Sequence, residues 1–182
     1  MINTQARLTY EDYARLPDDE RYEIIDGELY EMTAPTVRHQ DILLNLGIIL
    51  RPHVGETRLG KVYVSPIDVI FAEDAIVQPD LVFVAESRRH IIQDHAIVGT
   101  PDLVIEILSP STAARDRNRK ADLYARYGVA EYWMVDSETE TVHILRFGDA
   151  GYGPAEIVDS GALTTTLIPG LQVELADVFA QD

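Results

Sequence analysis

The chain has 182 residues, no cysteine, and 31 acidic against 15 basic residues, which gives a formal charge of −16. This length supports one domain with a sizeable apolar core, and the lack of cysteine excludes disulfides and thiolate metal sites. The acidic balance opposes nonspecific attraction to nucleic-acid phosphates and to anionic membranes.

The charge is unevenly distributed along the chain. Residues 86–126 carry seven basic against six acidic residues, a net +1 that leaves −17 for the remainder. A polyanion would meet the least repulsion at that segment. The N-terminus has no apolar signal core, and no apolar run approaches the roughly 20 residues that span a bilayer. We therefore expect a soluble, cytoplasmic protein that makes no membrane contact.

The first third of the chain predicts a helix, a hairpin and a longer helix. The pattern from Thr9 to Leu16 predicts a short helix that ends before a proline, because the residue before proline disfavours helix. Residues 22–30 surround an Asp-Gly turn, which is typical of a β-hairpin. Apolar residues at helical spacing predict a helix over about 37–53, and we expect it to pack against a sheet.

Three strands are predicted next, over residues 62–71, 77–84 and 102–108, because these runs are short and rich in β-branched residues. Each strand contains one acid of interest, in order Asp68, Asp80 and Glu106. Residues 90–99 carry no pattern that separates helix from strand.

The last third predicts a helix, a hairpin and short terminal strands. Residues 109–112 stop the preceding strand and offer N-cap hydroxyls for a helix over 113–127, which Gly128 ends. Residues 131–135 and 141–147 read as a hairpin across a polar turn. Together the elements predict one α/β domain over residues 1–182, with a mixed sheet flanked by helices.

Glu106 stands in the middle of the apolar run Leu103–Leu108. An isolated ionised carboxylate in an apolar medium is so costly that it is normally protonated, hydrogen-bonded, paired with a cation or bound to a metal. Asp102 shares its strand face, but four residues at about 3.3 Å each separate the two backbones by about 13 Å. Asp80 can lie across from Glu106, since neighbouring strands are about 4.8 Å apart.

Two carboxylates that close repel each other unless a proton or a cation lies between them. With oxygen ligands and no thiolate, Mg²⁺ or Mn²⁺ is a more natural ion for this pair than zinc. The alternative is that Asp80 belongs to a turn after Pro79 and that Glu106 pairs with a nearby arginine.

Lys120 is predicted to point toward the core. It belongs to a stripe of residues at i+3 and i+4 spacing along the helix, namely Ala113, Asp116, Lys120, Leu123, Tyr124 and Tyr127. A helix that begins directly after the Glu106 strand packs back over that strand, which brings the ammonium near the carboxylates. The alternative is an Asp116–Lys120 ion pair on a solvated face, worth about 0.3 to 0.5 kcal/mol.

An acid on one strand, an acid on the next and a nearby lysine resemble the PD-(D/E)XK nuclease superfamily, with one departure. In that pattern the lysine stands two residues after the second acid, where this chain has Leu108. The chain resembles the Uma-two family of restriction-endonuclease-like proteins over about residues 8–178, with the lysine moved to the following helix. The segments that carry the resemblance are, in family order, YEIIDGELYEM, RHQDILLNL, VQPDLVFV and GTPDLVIEILSPSTAARDRNRKADLYARYGVAEYWMVD.

The resemblance implies a restriction-endonuclease-like fold, with a mixed central sheet flanked by helices and extra β-hairpins near both termini. It implies that Asp80 and Glu106 bind Mg²⁺ or Mn²⁺ and that Lys120 is the relocated catalytic lysine. Glu23 resembles an auxiliary catalytic position of the family. Asp68 is a candidate for a second-metal ligand or for a residue that supports the ligands.

The leading hypothesis for function is a metal-dependent endonuclease that hydrolyses DNA. One alternative is a catalytically silent module for protein or nucleic-acid interaction, which the acidic charge and Leu108 favour. Another is a metal phosphoesterase acting on RNA or smaller phosphates. His39, at the start of its helix, is either a contact for phosphate or water or an exposed histidine. A homodimer is attractive because a duplex has two strands.

Overall fold

The computed structural model describes residues 7–17, 20–109 and 116–181. The described helical segments are α1 (Tyr10–Tyr13), α2 (Val37–Thr57), a 3₁₀ turn (Glu86–Ile91), a π-helical turn (Asp116–Lys120), α3 (Ala121–Arg126) and α4 (Leu175–Val178). The described strands are β1 (Tyr22–Ile25), β2 (Glu28–Glu31), β3 (Gly60–Val64), β4 (Asp68–Ala72), β5 (Ala75–Val77), β6 (Leu81–Ala85), β7 (Ala96–Val98), β8 (Leu103–Leu108), β9 (Glu131–Asp136), β10 (Thr141–Gly148), β11 (Gly151–Tyr152), β12 (Glu156–Val158), β13 (Ala162–Leu163) and β14 (Val173–Glu174).

The described strands form two larger mixed sheets and one small pair. The first sheet has the order β2-β1-β5-β4-β7, and the second has the order β11-β10-β9-β8-β6-β3 with β12 beside β10. Strands β8 and β9 are parallel, as are β4 and β7, and the other pairs are antiparallel. The pairs β1–β2 and β13–β14 are antiparallel and lie near the two ends of the chain. The predicted mixed α/β architecture with terminal hairpins is confirmed.

The two faces of β8 enter different parts of the core. Ile105 and Ile107 pack in an apolar cluster with α2, whereas Val104 and Leu108 belong to a second cluster that includes α3. Successive strand residues point to opposite faces, so Glu106 shares the face of Val104 and Leu108. The alternation of β8 therefore turns Glu106 toward the side of the sheet that α3 covers.

Two predicted strands are wrong in extent, because the chain changes sheet within each. The run 62–71 is divided into β3 and β4 around Ser65-Pro66-Ile67, and the run 77–84 is divided into β5 and β6 around Gln78-Pro79-Asp80. Proline has no N–H to donate to a ladder, so each proline breaks the pairing where the chain crosses. The second crossing determines where Asp80 lies.

The predicted helices differ from the observed ones at their ends. Helix α2 continues through Pro52 to Thr57, because Leu50 and Val54 extend its buried face beyond the proline. The N-terminal helix is shorter than predicted and ends at Tyr13. The predicted helix over 113–127 begins, in its described part, as the π-helical turn, and the predicted caps at Ser111 and Thr112 lie outside the described residues.

Candidate active site

Asp80 and Glu106 are brought together by the register of β6 and β8. Leu81 pairs with Ile105 in this antiparallel ladder, so Asp80, one residue before β6, continues the register opposite Glu106. Oδ2 of Asp80 accepts a hydrogen bond of 2.7 Å from the backbone N–H of Ile107. Both acids are buried. The geometry therefore matches the sequence prediction that Asp80 lies across from Glu106.

Lys120 reaches these acids from the π-helical turn. Its Nζ lies 2.8 Å from Oε1 of Glu23, 2.9 Å from Oε1 of Glu106 and 3.7 Å from Oδ1 of Asp116. The lysine side chain is only 2% exposed. The predicted inward direction of Lys120 is confirmed, and the alternative of an Asp116–Lys120 pair on a solvated face is wrong, because Asp116 is buried as well.

The strand position that usually carries the lysine is apolar here for a local reason. Leu108 is buried in the same apolar cluster as Tyr132 and Met134. An ammonium at that position would lie against these apolar side chains. The ammonium of Lys120 comes from the following turn, and π-helical turns of this kind occur frequently at functional sites.

Glu106 also has an aromatic partner that sequence reasoning did not assign to the site. The hydroxyl of Tyr124 donates a 2.7 Å hydrogen bond to Oε1 of Glu106, the same oxygen that Lys120 contacts. Among the residues that the structure describes, both polar contacts of Glu106 therefore fall on Oε1. Tyr124 stands four residues after Lys120 in the predicted inward stripe, and this spacing is the signal that could have identified it.

The charges of this group are strongly coupled. Burial raises the pKa of Glu106 to about 8, Lys120 opposes that rise, and the neighbouring Asp80, Asp116 and Glu23 add to it. Burial alone would lower the pKa of Lys120, but the carboxylates of Glu106, Glu23 and Asp116 raise it above its ordinary value. Lys120 is thus a stable cation, and the acids around it exceed the positive charge that it supplies.

Glu23 contacts Lys120 from strand β1. It is fully buried on β1, and its Oε1 accepts a 3.0 Å hydrogen bond from the backbone N–H of Gln78 in addition to the lysine contact. Gln78 belongs to the crossing between β5 and β6, immediately before Pro79 and Asp80. Glu23 therefore ties the N-terminal hairpin to the crossing that presents Asp80.

His39 is a partner of Asp80, and its sequence neighbourhood gave no sign of this. It lies in the first turn of α2, and its Nε2 is 3.1 Å from Oδ1 of Asp80. The alternative of an exposed histidine is wrong, since its side chain is only 15% exposed. The contact depends on the packing of α2 beside the crossing, which no local pattern encodes.

These side chains open into a cavity of about 230 Å³. The charged and ionisable side chains that line it are Arg21, His39, Asp80, Glu106, Asp116 and Lys120. The cavity also meets the first turn of α2 and the segment after β2. A polar, partly open cavity with buried acids and a buried ammonium is the arrangement expected of an active site.

Asp68 and Asp102 lie elsewhere. Oδ1 of Asp68 accepts hydrogen bonds from the hydroxyl of Tyr13 and from Nε2 of Gln78, both at 2.9 Å, and Asp68 is not among the residues that line the cavity. Asp102 binds the backbone N–H of Ala85 at the opposite end of β8. In the part of the chain that the structure describes, Gln78 links Asp68 to the site, and we do not include Asp68 among the metal ligands.

The donor set suits a hard cation that keeps much of its water. Among the described residues, no three histidine or acidic side chains converge on one point as a complete metal cage. Mg²⁺ commonly binds through one or two carboxylates and completes its octahedron with waters and substrate phosphates. Asp80 and Glu106, which line one cavity, fit that requirement.

The basic segment 86–126 does not form an open cationic surface. Its described arginines each contact a carboxylate, in the pairs Arg88–Asp102, Arg89–Glu86, Arg117–Asp136, Arg119–Glu28 and Arg126–Asp26. Lys120 is buried. These pairs leave the segment without a strong attraction for a polyanion, and the expectation that repulsion is least there stays a prediction.

Comparisons with known proteins agree on family and fold. The sequence model of the family described as "Uma2: Putative restriction endonuclease" matches residues 10–176. Two similar proteins come from Synechocystis sp.: sll1609 is 26% identical over 167 residues, covering 89% of this chain and 94% of that protein, and slr1290 is 27% identical over 150 residues, covering 80% and 77%.

A solved structure has the same fold. It is described as the "crystal structure of a putative nuclease belonging to DUF820" from Anabaena variabilis, with 20% sequence identity and a TM-score of 0.80. The match covers 94% of this chain and 97% of that one. The predicted restriction-endonuclease-like α/β fold is confirmed. None of the helices in the described part of the chain has the length and apolar character needed to cross a bilayer.

Proposed function

The chain belongs to the Uma2 family of restriction-endonuclease-like proteins, and from this premise we propose that it is a metal-dependent endonuclease that hydrolyses phosphodiester bonds of DNA. The observation that carries the proposal is the position of Lys120. Its ammonium is buried within 2.9 Å of both Glu23 and Glu106, beside Asp80, at a cavity. A buried ammonium placed among surplus carboxylates is costly as a purely structural device, which favours a role in chemistry.

Asp80 and Glu106 would hold the metal. A bound Mg²⁺ or Mn²⁺ acts as a Lewis acid on a phosphodiester oxygen and lowers the pKa of a bound water. Oδ2 of Asp80 is fixed by the N–H of Ile107, and Oε1 of Glu106 is fixed by Lys120 and Tyr124. These contacts hold both carboxylates in one orientation, so little reorganisation accompanies the reaction.

Lys120 would stabilise the negative charge that grows on the phosphorus oxygens or orient the attacking water. An ammonium has three N–H donors, and the two shortest contacts of Nζ are to Glu23 and Glu106. Asp116 lies farther from Nζ, at 3.7 Å, and we assign the donor that Glu23 and Glu106 do not take to the substrate. Glu23 acts through Lys120, since its carboxylate holds the ammonium in position from the side of the hairpin.

The test compares two buried glutamates in a DNA-cleavage assay with Mg²⁺ or Mn²⁺. Glu106→Gln should reduce cleavage by at least roughly a hundredfold, as loss of a preorganised electrostatic contact does. Glu131→Gln removes another buried carboxylate, one that lies outside the cavity, and should keep the rate within a few-fold of the unmodified protein. Equal rates for both variants would show that the site is wrongly assigned.

The silent-module alternative keeps one observation in its favour, namely that the described acids do not complete a metal cage by themselves. Calorimetry with Mn²⁺ separates the two. The nuclease proposal predicts binding heat that Asp80→Asn removes, whereas the silent module predicts none. Parallel assays with DNA, RNA and a small phosphodiester separate the DNA enzyme from a phosphoesterase of other specificity. A homodimer stays a prediction that rests on the two strands of the duplex.

A further inference from the structure

Arg21 differs from the other basic side chains of the cavity. Lys120 is engaged by Glu23 and Glu106, and His39 lies against Asp80. Arg21 also lines the cavity, yet none of the carboxylates in the described part of the chain lies within ion-pair distance of it. Among the described residues, Arg21 is thus a cation of the cavity without a carboxylate partner.

The side chain of Arg21 is nevertheless held in place. Its Nε donates a 2.8 Å hydrogen bond to Oε1 of Gln78, a buried residue. The amide orientation of Gln78 is well defined, because Nε2 donates to the carboxylate of Asp68, which can only accept, while Oε1 faces a guanidinium, which can only donate. Tyr13 adds a second contact to the same Nε2.

The backbone of Arg21 is fixed as well. Its carbonyl accepts a 2.8 Å hydrogen bond from the N–H of Met32, which adds one rung to the pairing of β1 with β2. A guanidinium has five N–H donors in a planar fork, and only the Nε donor is used by Gln78. The two terminal nitrogens keep the geometry that binds a phosphate through two parallel hydrogen bonds.

We propose that Arg21 binds a phosphodiester group of the nucleic-acid substrate in the cavity that it lines and that Gln78 positions Arg21 for this contact. The identity of the polyanion rests on the proposed function. A phosphate that enters this cavity meets Asp80, Glu106 and Asp116, and Lys120 is already surrounded by acids. Arg21 supplies the positive charge that the nucleic-acid strand needs in this cavity. Asp68 binds Gln78 and thereby helps to position Arg21. We assign it this role instead of that of a metal ligand.

The experiment measures binding of a short fluorescein-labelled DNA duplex by anisotropy, in Ca²⁺, a hard cation that takes oxygen ligands. Salt is varied from about 50 to 200 mM, because each phosphate contact contributes roughly 0.9 to the slope of log K against log salt. Arg21→Gln should weaken binding about tenfold and reduce the slope by about 0.9. Arg51→Gln, an exposed position of α2 with the same change of charge, should alter both much less.

A double-mutant cycle tests the positioning role of Gln78. Gln78→Met removes the side-chain amide but keeps the backbone N–H that binds Glu23. It should weaken DNA binding by itself and have little further effect when Arg21 is already glutamine, because coupled residues are not additive. Additive effects of the two substitutions would mean that Gln78 acts on the fold and not through Arg21.

The outcomes separate this inference from the proposed function. If the unmodified protein cuts DNA and Arg21→Gln behaves like Arg51→Gln, the inference is wrong and the nuclease stands. If DNA binding depends on Arg21 but no metal supports cutting, the inference stands and the nuclease is wrong. If the duplex does not bind at all, both are wrong.

Discussion

Glu106 and Glu131 are buried acids on the neighbouring parallel strands β8 and β9, and they differ in what surrounds them. Each accepts a hydrogen bond from an aromatic side chain, Glu106 from Tyr124 at 2.7 Å and Glu131 from the indole N–H of Trp133 at 2.9 Å. Each also contacts a cation. By residue type and partner type the two sites are nearly alike.

The difference lies in the cation and its other neighbours. Lys120 is 2% exposed, whereas Arg146, the partner of Glu131, is 44% exposed and also pairs with Glu156 at the surface. Lys120 is shared among several acids beside a cavity. Pairing with a half-exposed arginine satisfies one acid, while the group around Lys120 keeps an excess of negative charge that a metal ion can neutralise. Charge balance, more than burial, therefore distinguishes the candidate active site.

The largest difference in the free energy of unfolding is expected when the cation partner of each glutamate is removed. Lys120→Met leaves buried carboxylates without their cation, which costs about 3 to 5 kcal/mol of the free energy of unfolding. Arg146→Gln removes a half-exposed partner and should cost about 1 kcal/mol or less. Urea unfolding at neutral pH in EDTA measures both. Equal losses would mean that Lys120 contributes no more to the free energy of unfolding than the half-exposed Arg146.

The raised pKa of Glu106 predicts that the free energy of unfolding depends on pH. Glu131→Gln should keep this dependence, and Glu106→Gln should lose it. Burial raises the pKa of Glu106 from its ordinary 4.5 to about 8, so between these values the folded protein holds a proton that the unfolded chain releases. The free energy of unfolding without metal should therefore fall as pH rises from 4.5 to 8, by at most about 1.4 kcal/mol per pH unit. This contribution is complete below pH 4.5 and lost above pH 8.

The measurement is urea unfolding in EDTA at several pH values across this window. The difference in unfolding free energy between the unmodified protein and Glu106→Gln removes the contributions of other groups. A difference that stays constant with pH would contradict the raised pKa of Glu106.

The smallest expected effect compares two buried tyrosines of adjacent elements. Tyr124→Phe removes a hydrogen bond to the carboxylate of Glu106, which should cost about 1.5 to 3 kcal/mol once that group is ionised. Tyr132→Phe removes a hydrogen bond to the backbone carbonyl of Asp116, a neutral acceptor, and should cost about 1 kcal/mol. Unfolding above pH 8 in EDTA is the measurement, and a larger loss for Tyr132→Phe would reverse our assignment of the charged partner.

Local patterns in the amino-acid sequence determine much of the site. The apolar run around Glu106 indicates that its carboxylate is buried, and period-two alternation places it on one face of β8. Helical spacing directs Lys120 inward toward that face. These predictions succeed because each depends on residues within a few positions of one another, where strand and helix geometry is nearly fixed.

Sheet order determined the rest. Residues far apart in the chain supply the partners: Glu23 lies beneath Lys120, His39 beside Asp80, and Gln78 between Glu23 and Arg21. Two predicted strands each proved to be two strands joined by a crossing between sheets, which places Asp68 away from the cavity and Asp80 among the residues that line it. The sequence by itself determined that Glu106 and Lys120 are buried and on which face each lies, because periodicity is local. Only the tertiary structure decided which side chains meet, because contacts between residues far apart in the chain depend on which strands lie next to each other in the sheets.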